Sequence, residues 1–301
     1  LSMSGIFLEQ AEVYQPAVIE ALQELLQAGS VHDQVEYLDE TYYHSLTSLF
    51  SDPQKTEFRA QVSLHREKMR RLFGIFPTSF RNTELMYNNH IADVVADMGY
   101  QSILCEKRAD MFKDQDPPVS PNAVFRARGS SLIVLPRNRE LSDDVAFRFT
   151  HRRLSTQDYA GYLARIDGEA VCLGYDYEHI GEHLWEDTGI FEFWRGLPAA
   201  LEKHESIVCM NPTAVALRFR EADCPLLDIH GLATSSWADV GRDTSGWLGT
   251  LTQYALFHEI EAMEAEARRS GTELLTKWRH LTTSDHIYFL HESTGDDHAV
   301  H

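Results

Sequence analysis

Along the first two-thirds of the chain, short apolar runs alternate with stretches whose apolar residues recur every three or four positions. That alternation predicts βα units on a largely parallel sheet. Residues 15–28 predict a helix with Val18, Ile19, Leu22, Leu25 and Leu26 on one face and Gly29 closing it. Residues 53–72 predict a second, carrying Phe58, Val62 and Met69, with Phe73 and Gly74 following. A third is expected over 91–98 and a fourth over 188–202. Strands are expected at VEYL (35–38), TSFRN (78–82), SILC (102–105), LIVLP, 170–175 and SIVCM (206–210). Asn211-Pro212 reads as N-cap and first helical residue. The opening LSMSGIFLEQ reads as a strand end entering a loop, as though an upstream segment were left out.

The pattern changes after about Leu226. One long helix is expected over 243–269, with Asp243 or Thr244 as its cap, and another over 273–281. The expected architecture is therefore an α/β barrel-like domain over 1–226 followed by a helical region over 227–301 that packs against it.

Composition narrows the partners. The chain has 301 residues, 43% hydrophobic and 24% charged, which describes a globular protein. No run approaches the ~20 apolar residues of a membrane-spanning helix. The net charge of −19 repels nucleic acid and anionic lipid, and leaves a neutral polar ligand unaffected. Cys105, Cys172, Cys209 and Cys224 form no CxxC pair. The first three sit in apolar runs and read as buried free thiols, which suits a reducing cytoplasm.

The chemistry gathers at the strand ends. VEYL runs into Asp39-Glu40, TSFRN into Thr83-Glu84, SILC into Glu106, and the 170–175 run into Asp176 and Glu178. In parallel βα architectures those ends converge on one face, where active sites form. A single such acid can equally be a solvated loop residue or a helix cap, and Asp39 and Glu178 fit that description too. Two carboxylates across a neutral polar substrate are what glycoside hydrolysis needs: one ionised to attack, one protonated to release the leaving oxygen. Aromatic residues, which stack on sugar faces, crowd the same segments: Tyr42, Tyr43, Tyr87, Tyr175, Tyr177, Trp185, Trp237 and Trp247. There are 15 histidines but no HExxH, so no metal or other cofactor is expected. His44 and His183 fit hydrogen bonding to sugar hydroxyls better.

Four motifs, ETYYHSL (40–46), FRNTELMYNN (80–89), YDYEHIGEHLWE (175–186) and SSWADVGRDTSGWLG (235–249), resemble those of glycoside hydrolase family 57, in its α-amylase branch. LSDDVAFRF and WRHLTTSDHIYF (278–289) fit the same branch, in matching order along nearly the whole chain. The resemblance implies an incomplete (β/α)7 barrel followed by a C-terminal helical bundle, and retaining action on α-1,4-glucans. It assigns Glu84 as nucleophile and Asp176 as acid/base. Glu40, Tyr42, His44, Tyr87, Tyr175, Glu178, His183, Trp237, Asp239 and His286 are its expected substrate-binding residues. The partner it implies is an α-glucan or maltooligosaccharide.

Departures accompany the match. The family's His-Gln-Pro first-strand motif is absent, Gly241 replaces an acidic residue, and Thr250 replaces an Asn. The expectation is a chain lacking its first strand and the end of its bundle. A 4-α-glucanotransferase and a non-catalytic glucan-binding protein are the alternatives, with a metal-dependent hydrolase third.

Overall fold

Apolar strands buried on both faces call for helices on either side, and the sheet is built that way. Its strands are β1 (Ser79–Arg81), β2 (Ser102–Glu106), β3 (Phe125–Ala127), β4 (Ile133–Arg137) and β5 (Leu226–Leu227), in the order β1-β2-β4-β3-β5. The computed structural model describes residues 1–30, 34–108, 111, 119–120, 122–238 and 241–290. Within it β1, β2 and β4 run parallel, with Phe80 opposite Ile103 and Leu104 opposite Leu135.

Single bridges extend this wall at both ends. Asp39 pairs in parallel with Phe80, and Cys172 with Arg137. Leu1 N–H donates to the Glu36 carbonyl at 2.6 Å and the Leu1 carbonyl accepts from Leu38 N–H at 2.8 Å, the pattern of a further parallel pair. Parallel segments thus follow one another in chain order, the arrangement of an incomplete α/β barrel. β3 departs from it, lying antiparallel to β4 and carrying β5 on its other side.

The expected helices form at Pro16–Ser30, Thr56–Phe73, Asn89–Asp97, Ile190–Leu201 and Thr272–Leu281. Gly74, at φ 70°, ends the second of these in the left-handed conformation that glycine adopts without strain. Asn211 caps Pro212–Arg218, accepting from Ala214 N–H.

Several expectations need correction. After Leu1 the chain enters a helix, Gly5–Tyr14, capped by Ser4, rather than a loop. Residues 35–38 and 170–175 form no strand of their own; only Asp39 and Cys172 pair with the sheet. SIVCM is not a strand either, and Val208 is 70% exposed, because no described segment lies alongside to complete a ladder. Cys209 in that run is exposed, whereas Cys105 and Cys224 are buried. The long helix over 243–269 is three: Ser245–Leu248, Leu251–Ala262 and Glu264–Arg269. Thr250 divides the first two because its backbone is extended and its side chain caps the next helix.

The main core joins Phe80, Ile103, Val134 and Leu227 of the sheet to Phe58, Val62, Ile91 and Val95, and also to Trp247, Phe257, Trp278 and Ile287. A boundary at 226/227 falls inside β5, and one core continues across it. A second core, with Phe149, Tyr159, Ile190 and Phe193, lies under the 141–201 segment. No helix among the described residues is long and apolar enough to cross a membrane.

Candidate active site

β1 carries Ser79–Arg81 to the C-terminal edge of the sheet, and the chain then folds into a single 3-10 turn, Thr83–Leu85. Asn82 holds that turn from beneath, its amide donating to Met86 O and Ser48 Oγ at 3.0 Å each. Glu84 stands in the turn at φ 55° and Leu85 at φ 52°, left-handed conformations that cost a side chain roughly 1–2 kcal/mol per residue. Surrounding bonds hold them there. Tyr87 and Ser235 pair through their main chains, and Glu84 O accepts from Trp237 N–H at 3.1 Å and Ser236 Oγ at 2.9 Å. The SSW segment therefore lies zipped along the Glu84 turn.

The Glu84 carboxylate is held at both oxygens. His44 Nε2 lies 2.8 Å from Oε1, and Trp237 Nε1–H donates to Oε2 at 2.6 Å. Behind His44, its Nδ1 is 3.4 Å from Oε1 of buried Glu40, whose other oxygen accepts from Ser2 Oγ. Burial works against a charge on His44, but hydrogen bonds and charge from Glu40 and Glu84 raise its pKa to about 10. His44 is thus an imidazolium at neutral pH, donating to a carboxylate on either side. Burial likewise pushes Glu84 upward. His44, Arg81 and the Trp237 N–H outweigh it and keep the carboxyl below its ordinary value. Glu40, similarly placed, is lowered to about 2.

Asp176 follows the segment that pairs with β4 at Cys172 and precedes a 3-10 turn, Tyr177–His179. Arg81 connects it to the first group, with Nη2 3.9 Å from Asp176 and Nη1 3.7 Å from Glu40. Asp176 keeps 40% of its side-chain surface exposed, yet the protein around it still desolvates the carboxyl. That burial, with the charges of Glu84 and Glu178, raises it to about 6 against the opposing pull of Arg81 and His44. Two carboxyls influencing one another are thus displaced in opposite directions.

The structure brings Glu40, His44, Glu84, Asp176, Glu178 and Trp237 into one neighbourhood. His183 stands 3.9 Å from Glu178 at its margin. Other expected rim residues lie elsewhere. Tyr42 is buried against Gly5, and its hydroxyl donates to Glu9. Tyr87 is fully buried in the main core. Tyr175 shares a hydrogen bond with Tyr159 and packs edge-on against Trp194. His286 is exposed on the helix Asp285–Tyr288, and no hydrogen bond links it to the pair among the described residues. Asp239 lies outside the described residues. Tyr177 and Trp185 remain exposed, at 54% and 64%.

Two arginines were not anticipated. Arg81 and Arg137 lie over the Trp237 ring, 4.8 and 5.5 Å from its centre. Arg81 stands inside the FRNTE motif, and a cation between strand-end acids is the signal that could have drawn attention to it. Glu106, the strand-end acid of β2, pairs with Arg137 at 3.2 Å. Burial raises it to about 7 despite Arg137 and Arg242.

Residues 1–229 match the profile of glycosyl hydrolase family 57. The chain is 35% identical over 314 residues to a protein of Methanocaldococcus jannaschii named "Putative alpha-amylase", covering 100% of this chain and 64% of that one. It therefore spans less than two-thirds of that relative's length. Its fold is similar to that of a family 57 branching enzyme from Thermococcus kodakaraensis, with a TM-score of 0.67 at 14% identity over 94% of this chain and 66% of the other. A 4-alpha-glucanotransferase from Thermococcus litoralis gives 0.63 at 15%, over 91% and 41%. An alpha-amylase from Thermotoga maritima gives 0.62 at 14%, over 97% and 68%. At these identities the structural likeness concerns the fold.

Proposed function

The chain belongs to glycosyl hydrolase family 57, and from that premise we propose that it acts on α-1,4-glucans as a retaining, α-amylase-like glycoside hydrolase. Glu84 attacks the anomeric carbon while Asp176 gives its proton to the departing glycosidic oxygen. The C–O bond breaks and a glycosyl ester on Glu84 forms. Asp176, now a carboxylate, takes a proton from water as that water attacks the anomeric carbon and releases Glu84. A sugar hydroxyl in place of water would make the same two steps a transfer, the reaction named for the Thermococcus litoralis relative. In this reading residues 1–226 supply both carboxylates, and the helical part, 227–301, supplies Trp237.

The observation that carries the reading is the opposite displacement of the two carboxyls. Glu84 is held ionised by His44 and Trp237, while Asp176 is raised to about 6. An enzyme that needs one nucleophile and one acid requires that split. With a value near 6, roughly a tenth of Asp176 is protonated at pH 7. Exposed Tyr177, next to Asp176 in the chain, offers a ring face for a sugar.

Glu84→Gln and Asp176→Asn are each expected to lower turnover of maltooligosaccharides at least about a thousand-fold. Far-UV circular dichroism and melting temperature should stay near those of the unmodified chain. Proton NMR of the first product formed should show the α-anomer. Turnover that survives either substitution, or a β-anomer, overturns the assignment.

A further inference from the structure

Because Trp237 Nε1–H donates to Glu84 Oε2 at 2.6 Å, the plane of the indole sets where that carboxylate is held. The two guanidinium groups over the ring are secured differently. Arg81 reaches its carboxylates only at 3.7 and 3.9 Å. Arg137 is tied through three nitrogens. Its Nε donates to Gly174 O at 2.9 Å, Nη1 to Glu106 Oε2 at 3.2 Å, and Nη2 to Asp143 Oδ1 at 2.6 Å. Arg137, Glu106 and Asp143 are all buried. Three anchors from separate segments fix a planar group in both position and tilt, which a lysine ammonium would not reproduce. Gly174 also stands against the arginine stem: a Cβ there would lie 3.3 Å from Arg137 Cδ. Among the described residues no hydrogen bond joins Arg137 to Glu84 or Asp176; its contact with this group is with the Trp237 ring.

We propose that Arg137 is a positioning residue for Glu84, its anchored guanidinium fixing the Trp237 indole and the indole N–H aiming the carboxylate. This rests on the reading of Glu84 as nucleophile. The shelf that supports the indole is β4, the strand neighbouring β2, so the sheet itself sets the direction of attack. Displacements well below the size of an atom are enough to reduce such an attack.

The test is a double-mutant cycle in the full chain, with kcat/KM on maltoheptaose measured across pH. Arg137→Lys keeps a cation against Glu106 and Asp143 but loses the anchored plane. Trp237→Phe removes the N–H that helps keep Glu84 ionised, so it moves the acid limb of the profile to higher pH. Arg137→Lys is expected to lower kcat about ten-fold. It should move the acid limb in the same direction and add little in the Trp237→Phe background. A purely structural role would lower the melting temperature and leave the acid limb in place. An unmoved limb, or fully additive effects, overturns the proposal. If Arg137→Lys does not fold, Asp143→Asn, which weakens one anchor and keeps its shape, carries the same expectation. Glu84→Gln separates the two claims. If it retains turnover, the nucleophile reading fails and the positioning role fails with it. If it is inactive while the cycle is additive, only the role of Arg137 fails.

Discussion

His44 sits between two carboxylates and favours the ionised form of both. The pH profile of kcat/KM should therefore be a bell. Glu84 must be ionised, so activity falls on the acid side below the ordinary carboxylate range. Asp176 must be protonated, so activity falls on the alkaline side as pH rises through about 6. Replacing His44 with Gln removes the cation. Burial, which acts to raise Glu84, is then less opposed, and the acid limb moves up. Asp176 loses a smaller lowering influence, so its limb also moves up, by less. The bell narrows and its peak falls; an acid limb that stays in place would refute the role given to His44. Much of this group was legible beforehand, because strand ends and motif together pointed to Glu40, His44, Glu84, Asp176 and Trp237. Arg137 was not, since one basic residue in a strand carries no periodic signal. Tyr42 and Tyr87 misled for a related reason. A ring beside a strand-end acid looks like rim, but its destination depends on which distant element packs over it, here Gly5 and the main core.

Among the elements, the division of the expected long helix is the most instructive. Apolar periodicity continued through 243–269, but Thr250 and Gln253 form a capping box that starts a new helix. That box was readable as Thr-x-x-Gln, and apolar spacing concealed it. A Thr suits the position where the family resemblance led to an expectation of Asn, since both residues cap well. Thr250→Asn should leave stability nearly unchanged, whereas Thr250→Ala should cost about 1 kcal/mol. In a chain of this size that lowers the melting temperature by about 2 °C. Gln253→Ala should cost more, about 2 kcal/mol or above, because the buried Gln253 amide also donates to Gly246 O and Ile287 O. Equal effects from the two alanine variants, measured by thermal unfolding, would contradict the assignment. The unformed strands, by contrast, could not be read locally. SIVCM and the 170–175 run have strand composition, and only a neighbouring ladder decides whether such a run pairs.

For the molecule as a whole, the sequence suggested a barrel part and a helical part packed against it, because its periodicity changes near Leu226. Periodicity reports on elements and not on which surfaces they share, so a common core leaves no trace in it. Trp247, Phe257, Trp278 and Ile287 from the helical part pack in the same cluster as Phe80, Ile103 and Val134 of the sheet. Burying each of these large side chains contributes about 2 kcal/mol. Four of them together rival the roughly 5–15 kcal/mol by which a folded domain exceeds its unfolded chain. Polar contacts cross the same seam: Arg279 and Arg268 both donate to the buried Glu57 carboxylate. A chain ending at Leu226 should therefore fail to unfold cooperatively and should lose near-ultraviolet circular dichroism, rather than persist as a stable barrel. It would also lose Trp237, leaving His44 and the more distant Arg81 to hold Glu84 ionised. A sharp thermal transition in that shortened chain would show that the two parts fold independently. A single transition in the full chain, lowered by Trp278→Ala and by Phe80→Ala alike, is the expected result, because both residues belong to one core.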